Sequence, residues 1–197
     1  SGGPILATSD IGWITVIGGD MESDVHAENG NIRLLRVNSQ SVQTGDGNSK
    51  SIGGSIMGDV ETGGRMGILS ARGGEVGNVD AGEVGRINIT HGILSGDVTA
   101  RSGGIDNISI TKRFDKVSPL LAMNGSVSAQ EGIGRIVVRN GIVDLSGPGR
   151  SIYARKGIGM LYASGLLGDS DHDSKEVLVE DGNIDTMAIV GGNIQGV

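Results

Sequence analysis

The sequence predicts an all-β protein, a single-stranded parallel β-helix with three faces and about eight coils of 18–34 residues. Glycine accounts for 37 of the 197 residues, and aromatic residues for only 2%. Short apolar patterns also recur at intervals of tens of residues, the usual sign of a stacked repeat architecture. One such repeat cannot bury its apolar side alone, so neighbouring repeats must supply the core. Small aliphatic side chains between closely spaced glycines suit a narrow core.

The first strand of each coil carries the clearest pattern, with apolar residues at offsets 0, +3 and +5. The triplets are Ile11/Ile14/Val16, Ile32/Leu35/Val37, Met66/Leu69/Ala71, Val84/Ile87/Ile89, Ile105/Ile108/Ile110, Ile133/Ile136/Val138, Ile158/Leu161/Ala163 and Ile184/Met187/Ile189. Successive side chains of a strand point to opposite faces. We therefore expect offsets +3 and +5 to point inward, and offsets +2, +4 and +6 outward.

Two further apolar columns complete each coil. The second column follows about ten residues after each start: Met21, Val42 or Ile56, Val76, Leu94, Phe114, Ile142, Leu167 and Ile194. The third is a short strand of the form Asp/Asn/Ser-Val-x-Ala, as in residues 24–27, 78–81, 97–100 and 126–129. Glycine separates the strands because corners need positive φ or close backbone approach.

The domain organisation follows from these columns. Residues 1–10 are predicted to be a lead-in or cap, and residues 11–197 the β-helix, with a corner insertion near 39–53. After the insertion, residues 54–60 match residues 92–98 and restore the register. We expect a right-handed helix because the strict hexapeptide period of left-handed helices is missing. A two-sheet solenoid is the structural alternative.

The repeated triplets and glycine corners resemble the β-helical segments of large bacterial surface and secreted proteins of the adhesin-like type. The resemblance covers nearly the whole chain, from Ile11 to Val197. It implies an extracellular or cell-surface location and a structural or interaction role. Because it is a resemblance of architecture and composition, it assigns no functional residues.

Charge and composition exclude several classes of function. The net charge is −7 and the 16 Lys and Arg residues are scattered, so a basic surface for nucleic acid is not expected. No stretch approaches the ~18 apolar residues of a membrane span. The chain has no cysteine, which excludes disulfides and thiolate metal sites.

Acidic residues form two candidate sites. Asp169, Asp171 and Asp173 alternate as in calcium-binding loops, with Glu180 at the twelfth position, so Ca²⁺ is the one cofactor that the sequence suggests. The alternative is a solvated corner loop, since Ser174 replaces the usual turn glycine. The second candidate is a column of Asp24, Asp59, Asn78 and Asp97 before the third strand. One interpretation is a ladder that binds cations. The favoured one is a set of turn residues whose side chains form hydrogen bonds with nearby backbone amides.

An outward apolar stripe of Trp13, Leu34 and Ile68 is predicted in the first three coils. Exposed apolar patches commonly mark a partner surface. The alternative is burial beneath residues 4–7 or beneath the 39–53 insertion.

The leading hypothesis is a structural or interaction module, a rigid extracellular or cell-surface scaffold that contacts other proteins or glycans. The alternative is a carbohydrate-active β-helix enzyme, a lyase or hydrolase, with Asp144, Arg155 and Asp169 as its catalytic groups. Tyr153 and Tyr162 are the aromatic residues that could stack on a sugar ring near this region. The enzyme is the less favoured hypothesis because the sequence has almost no aromatic residues to form sugar-binding subsites.

The end of the chain suggests one more property. The last coil stops soon after its second column, and an uncapped coil presents unpaired backbone groups. We therefore expect either continuation of the helix in a longer chain or end-to-end self-association.

Overall fold

The structure is a computed structural model that describes residues 3–45, 48–113, 120–167 and 177–190. These residues form 21 β-strands and no helix. The first eleven are β1 (Ile5–Ala7), β2 (Ile11–Ile17), β3 (Val25–Ala27), β4 (Ile32–Asn38), β5 (Gln40–Gln43), β6 (Ser49–Ile52), β7 (Val60–Arg72), β8 (Glu75–Val76), β9 (Val79–Thr90), β10 (Ile93–Leu94) and β11 (Val98–Ala100). The others are β12 (Ile105–Thr111), β13 (Leu120–Met123), β14 (Val127–Ala129), β15 (Gly132–Arg139), β16 (Gly141–Asp144), β17 (Ile152–Ala154), β18 (Gly157–Ala163), β19 (Gly165–Leu167), β20 (Val177–Val179) and β21 (Asn183–Ile189).

The strands assemble into one large parallel sheet, one smaller parallel sheet and one antiparallel pair. The large sheet has 14 strands, and nine of them follow the order β20-β17-β14-β11-β9-β12-β15-β18-β21. This nine-stranded path curls through 301° around an axis, so the sheet nearly closes. The small sheet has the order β19-β16-β13-β10-β8. The prediction of an all-β protein with parallel strands is therefore confirmed for the described residues.

The predicted first column is confirmed in register. Each first-column strand pairs in parallel with the corresponding strand of the next repeat, and the eight starting residues are consecutive partners. They are Ile11, Ile32, Met66, Val84, Ile105, Ile133, Ile158 and Ile184. The position of one apolar triplet in each repeat is thus enough to predict which residues pair between neighbouring first-column strands.

The third column is confirmed as well. Seven aliphatic residues are consecutive parallel partners: Val25, Val60, Val79, Val98, Val127, Ile152 and Val177. In β7 and β9 the third-column strand runs on into the first-column strand of the following repeat without a break. That continuity is why the two columns belong to one sheet.

The second column is only partly as predicted. Met21, Ile56, Val76 and Leu94 are consecutive partners, which selects Ile56 over Val42 and confirms the register restored after the insertion. Beyond Leu94 the column continues through Met123, Val143 and Leu166, so Ile142 and Leu167 were the wrong choices. Met123 also takes the place predicted for Phe114, a residue outside the described part of the chain. Corners of unequal length defeat a fixed count of ten residues.

The core lies between these columns and consists of aliphatic side chains. Inward residues of the inner repeats are almost completely buried; Ile32, Leu35 and Val37 are each 0% exposed. In the first and last repeats the equivalent side chains are only partly buried: Ile11, Ile14 and Val16 at one end, and Ile184, Met187 and Ile189 at the other. At both ends of the array, therefore, apolar side chains are partly exposed at positions that are buried in the inner repeats.

The residues before the first triplet and within the predicted insertion also form strands. β1 pairs in parallel with β3 and so extends the third column by one strand. β5 and β6 form an antiparallel hairpin with Val42 opposite Lys50. Neither segment pairs with the outward residues of the first column.

Glycine follows the first-column start in five of the eight repeats, and at Gly67 and Gly159 the structure shows a steric cause. A Cβ on Gly67 would lie 2.6 Å from the carbonyl oxygen of Arg33, one repeat earlier. A Cβ on Gly159 would lie 2.5 Å from the carbonyl oxygen of Gly134. Gly12 occupies the same position in the first repeat, and a Cβ there would meet nothing within 4 Å. At Gly67 and Gly159, therefore, the backbone of the preceding repeat leaves no room for a side chain.

Candidate functional site

The outward side of the first-column strands brings together side chains that are far apart in sequence. Eight residues at offset +2 are consecutive partners: Trp13, Leu34, Ile68, Arg86, Asn107, Arg135, Met160 and Thr186. We call this set the outward column. Its first three members are apolar and its next three are polar, so one continuous surface changes character between the third and fourth repeats.

The apolar stripe predicted at Trp13, Leu34 and Ile68 lies together on adjacent strands. Trp13 is 75% exposed and Ile68 is 39% exposed, while Leu34 is half-buried. Among the described residues, Trp13 and Ile68 are therefore not buried beneath residues 4–7 or beneath the hairpin β5–β6. The side chains are thus available to a contact from outside.

The polar part of the outward column lines a concavity of about 210 Å³ on β9, β12 and β15. Its charged side chains are Arg86, Arg135 and Arg139, and Asn88, Asn107 and Ser109 lie between them. Asn107 is only 7% exposed, and its Oδ1 accepts a hydrogen bond from Arg135 Nε at 2.7 Å. Because this partner is neutral, it orients the guanidinium of Arg135 without neutralising its charge.

Two acidic residues, Glu83 and Asp106, are close in sequence to residues that line this concavity, and both form ion pairs with the same arginine. Arg65 forms ion pairs with Glu83 and with Asp106, the latter at 2.5 Å. Burial alone would lower the pKa of Arg65, but its hydrogen bond to Asp106 and the charges of Glu83 and Asp106 raise it overall. The carboxylates closest in sequence to Arg86 and Asn107 are thus held by Arg65.

The Asp/Asn column predicted before the third strands makes hydrogen bonds between repeats. Asp24 Oδ1 accepts from the backbone N–H of Asp59 at 2.9 Å, and Asn78 Oδ1 accepts from that of Asp97 at 3.0 Å. Asp97 Oδ1 then accepts from the N–H of Ser126 at 2.7 Å. The side chains satisfy backbone donors, as the turn interpretation expected, but the donors belong to the next repeat along the array.

The same arrangement occurs at two other corners. Asp10 Oδ1 accepts from the N–H of Asn31 at 2.7 Å, and Asn31 Oδ1 accepts from that of Arg65 at 2.7 Å. Asp20 Oδ1 accepts from the N–H of Ser55 at 2.8 Å. Short polar side chains thus add hydrogen bonds between repeats at the corners, beside backbone hydrogen bonds such as the one from Met57 N–H to the carbonyl oxygen of Met21.

The three aspartates of the predicted calcium site, Asp169, Asp171 and Asp173, lie outside the described residues. The fourth predicted ligand, Glu180, accepts a hydrogen bond from the hydroxyl of Tyr153 at 2.6 Å. That hydrogen bond raises the pKa of Tyr153, with smaller contributions from burial and from the charge of Glu180. Among residues 3–45, 48–113, 120–167 and 177–190, no group of three or more His, Asp or Glu side chains is arranged to hold a metal ion.

The described members of the alternative catalytic set have separate partners. Asp144 accepts hydrogen bonds from the backbone N–H and the hydroxyl of Ser146 and lies 3.5 Å from Arg150 Nη1. Arg155 Nε lies 3.3 Å from Asp181. Asp169, the third member, is outside the described part of the chain. Tyr162 lies in the first column on β18, whereas Tyr153 lies in the third on β17, so the two tyrosines do not share a strand column.

The arginine concavity is the feature that sequence reasoning missed. Its signal was present, because Arg86, Asn107 and Arg135 already occupied the outward column by spacing. Only the apolar members of that column were interpreted as a site. Arg139, four residues after Arg135 on the same strand, completes the group.

Comparison with protein-family models, with curated proteins and with solved structures finds no match to this chain. In the described residues, no helix is long and apolar enough to cross a membrane. The class that fold and surface define is an all-β protein of parallel strands with a columnar outward face.

Proposed function

We propose that this chain is a rigid structural and interaction module of an extracellular or cell-surface protein. In this proposal it is a three-faced parallel β-helix segment that stacks about eight coils and displays side chains in columns on its outside. The observation that carries the proposal is the outward column, in which eight residues from Trp13 to Thr186 are paired in register. Such spacing presents a side chain every ~4.8 Å along a fixed backbone.

The energetic basis for rigidity is the combination of two interactions. Inward aliphatic side chains bury against their counterparts in the neighbouring repeats, which contributes roughly 25 cal/mol for each Å² removed from water. At the corners, side chains such as Asp24 and Asp97 bind backbone N–H groups of the next repeat. Strands and corners are therefore both tied to their neighbours, which suits a scaffold.

The exposed apolar stripe is the surface that we assign to contact with another protein. Trp13 is the strongest anchor because a large aromatic ring that is mostly exposed gains the most by burial in an interface. This assignment supports an adhesive role for the N-terminal half of the outward column.

The test is binding of the purified protein to arrays of extracellular proteins and polysaccharides. A variant with Trp13→Ser, Leu34→Ser and Ile68→Ser should lose protein binding, whereas Met160→Ser, in the same column four repeats further on, should retain it. Equal loss in both variants would count against the stripe.

A second measurement separates the scaffold from an enzyme. Incubation with a polysaccharide panel should release no new chain ends. Depolymerisation that Asp169→Ala abolishes would overturn the proposed function in favour of a carbohydrate-active enzyme.

A further inference from the structure

We infer that the arginine concavity of the outward column is a binding site for oxyanions, with Arg86 and Arg135 as its principal ligands. The site goes beyond the scaffold role and does not depend on it. The shared chemistry is that of sulfate, whether as the free ion or as sulfate groups along a chain.

The position of the two arginines is fixed by strand pairing. Arg86 pairs with Asn107, and Asn107 pairs with Arg135, so the two arginines flank one amide on the outward side. With ~4.8 Å between adjacent strands, their Cα atoms are ~10 Å apart. Two extended guanidinium groups leaning toward Asn107 can therefore contact the same anion.

The hydrogen-bonding character of the lining selects an anion. The concavity is lined by three guanidinium groups, two amides and a hydroxyl, together with the apolar side chain of Val137. Guanidinium groups match the oxygens of sulfate, phosphate and carboxylate with paired hydrogen bonds. No carboxylate lines the concavity among the described residues, and the flanking Glu83 and Asp106 are held by Arg65. A cation or a neutral ligand would find few acceptors there.

Asn107 gives the site its preorganisation. Its side chain is almost fully buried, and its Oδ1 holds Arg135 Nε at 2.7 Å. Part of the conformational entropy that an arginine loses on binding is therefore lost already in the free protein. Arg135 is a fixed ligand, and Arg86 completes the pair.

Arg139 is the residue that should make the site prefer a polymer with several sulfate groups over a single sulfate ion. It lies four residues beyond Arg135 on β15, which is ~13 Å along an extended strand. An anion centred between Arg86 and Arg135 is therefore farther from Arg139 than from either member of that pair. A polymer with repeated sulfate groups can contact the Arg86–Arg135 pair and Arg139 together, so we expect it to bind more tightly than free sulfate.

The experiment measures binding of inorganic sulfate and of dextran sulfate by isothermal titration calorimetry at low salt, with neutral dextran as the control ligand. Arg86→Gln should weaken binding of both sulfate probes about tenfold, the effect of one charge-assisted hydrogen bond pair. Arg139→Gln should weaken dextran sulfate and leave inorganic sulfate unchanged. Arg36→Gln is the matched control. It removes one positive charge from an outward position of a first-column strand, β4, that does not line the concavity.

Each outcome decides the inference. Arg36→Gln retaining wild-type affinity while Arg86→Gln loses it supports the site. Equal losses in these two variants would reduce the effect to general charge, and dextran sulfate binding no better than neutral dextran would overturn the inference. Thermal unfolding of each variant verifies the fold. Among the described residues, the side chain of Arg86 makes no hydrogen bond that Arg86→Gln would remove. The apolar-stripe variant should bind sulfate normally, so failure of the scaffold proposal and failure of this one are distinguishable.

Discussion

Single residues in this chain show how a neighbouring repeat sets the properties of a side chain. Tyr153 belongs to one repeat and Glu180 to the next, and their hydrogen bond of 2.6 Å raises the pKa of the phenol above its ordinary value of 10.0. A raised pKa in the folded state means that the interaction stabilises the protein below pH ~10. This contribution is lost as the pH rises through the pKa of the folded state.

The first prediction concerns this pair. Glu180→Ala should lower the pKa of Tyr153 toward its ordinary value because it removes the carboxylate that accepts the phenolic hydrogen. The measurement is an ultraviolet titration in a Tyr162→Phe background, where Tyr153 is the only tyrosine. Glu22→Ala removes an equal charge from an exposed site in the first repeat and should leave the titration unchanged. An identical midpoint with and without Glu180 would contradict the pairing.

A second residue-scale prediction compares two glycines at the same position of different repeats. Gly67→Ala should destabilise the protein by about 1–3 kcal/mol because its Cβ would lie 2.6 Å from the Arg33 carbonyl oxygen. Gly12→Ala meets no atom within 4 Å and should change stability by less than about 1 kcal/mol, in the stabilising direction. Urea unfolding measures both. Equal effects at the two positions would show that glycine there serves backbone conformation instead of close approach.

At the scale of strands and corners, side chains at the corners reinforce the backbone hydrogen bonds that join neighbouring repeats. Asp97 is central because its backbone N–H donates to Asn78 and its carboxylate accepts from the N–H of Ser126. Either end of this connection can be altered while the strand itself is left intact.

The third prediction removes one such connection. Asp97→Ala should cost about 1 kcal/mol of unfolding free energy because the Ser126 N–H loses its acceptor. Asp97→Asn keeps an oxygen acceptor at the same place and should cost less than half as much. Addition of Ca²⁺ should leave the stability of all three proteins equally unaffected if the column serves hydrogen bonding. Calcium-dependent stabilisation lost in Asp97→Asn would instead favour the cation-ladder interpretation.

The success of sequence reasoning at this scale depended on side-chain periodicity. The triplet beginning at Ile11 and its seven counterparts fix register, since a shift by one residue would turn the apolar set outward. The second-column prediction is wrong after Leu94 for two reasons. Met123 lies much farther than ten residues after Ile105, and the apolar neighbours Ile142 and Leu167 cannot be told from Val143 and Leu166 by spacing alone. Met123 and Val143 are recognisable only from their partners. The arginine concavity escaped for a different reason: charged residues at outward positions are ordinary until pairing shows that Arg86 and Arg135 flank a nearly buried Asn107.

At the scale of the whole molecule, the two ends of the array have open strand edges and partly exposed apolar side chains. β2 pairs only with β4, and β21 only with β18, within the described residues, so each has one open edge. Ile14 and Ile189 lie at these opposite ends and are only partly buried. The first-column strands are all parallel and their apolar triplets are consecutive partners, so the open edge of β21 matches the open edge of β2 in direction and in apolar pattern. Such a head-to-tail interface does not close on itself.

The last prediction is that the protein associates end to end, with a mass that rises with concentration in multi-angle light scattering. Lysine at an open edge opposes strand addition. Ile14→Lys should block one end and Ile189→Lys the other, so that each variant alone remains a monomer. An equimolar mixture should form a dimer and nothing larger, because each variant retains the end that the other lacks. Met160→Lys, at an outward position of β18, a strand that is paired on both sides, should associate like the wild type. A wild-type protein that is strictly monomeric, or a mixture that remains monomeric, would show that the open edges do not recognise each other.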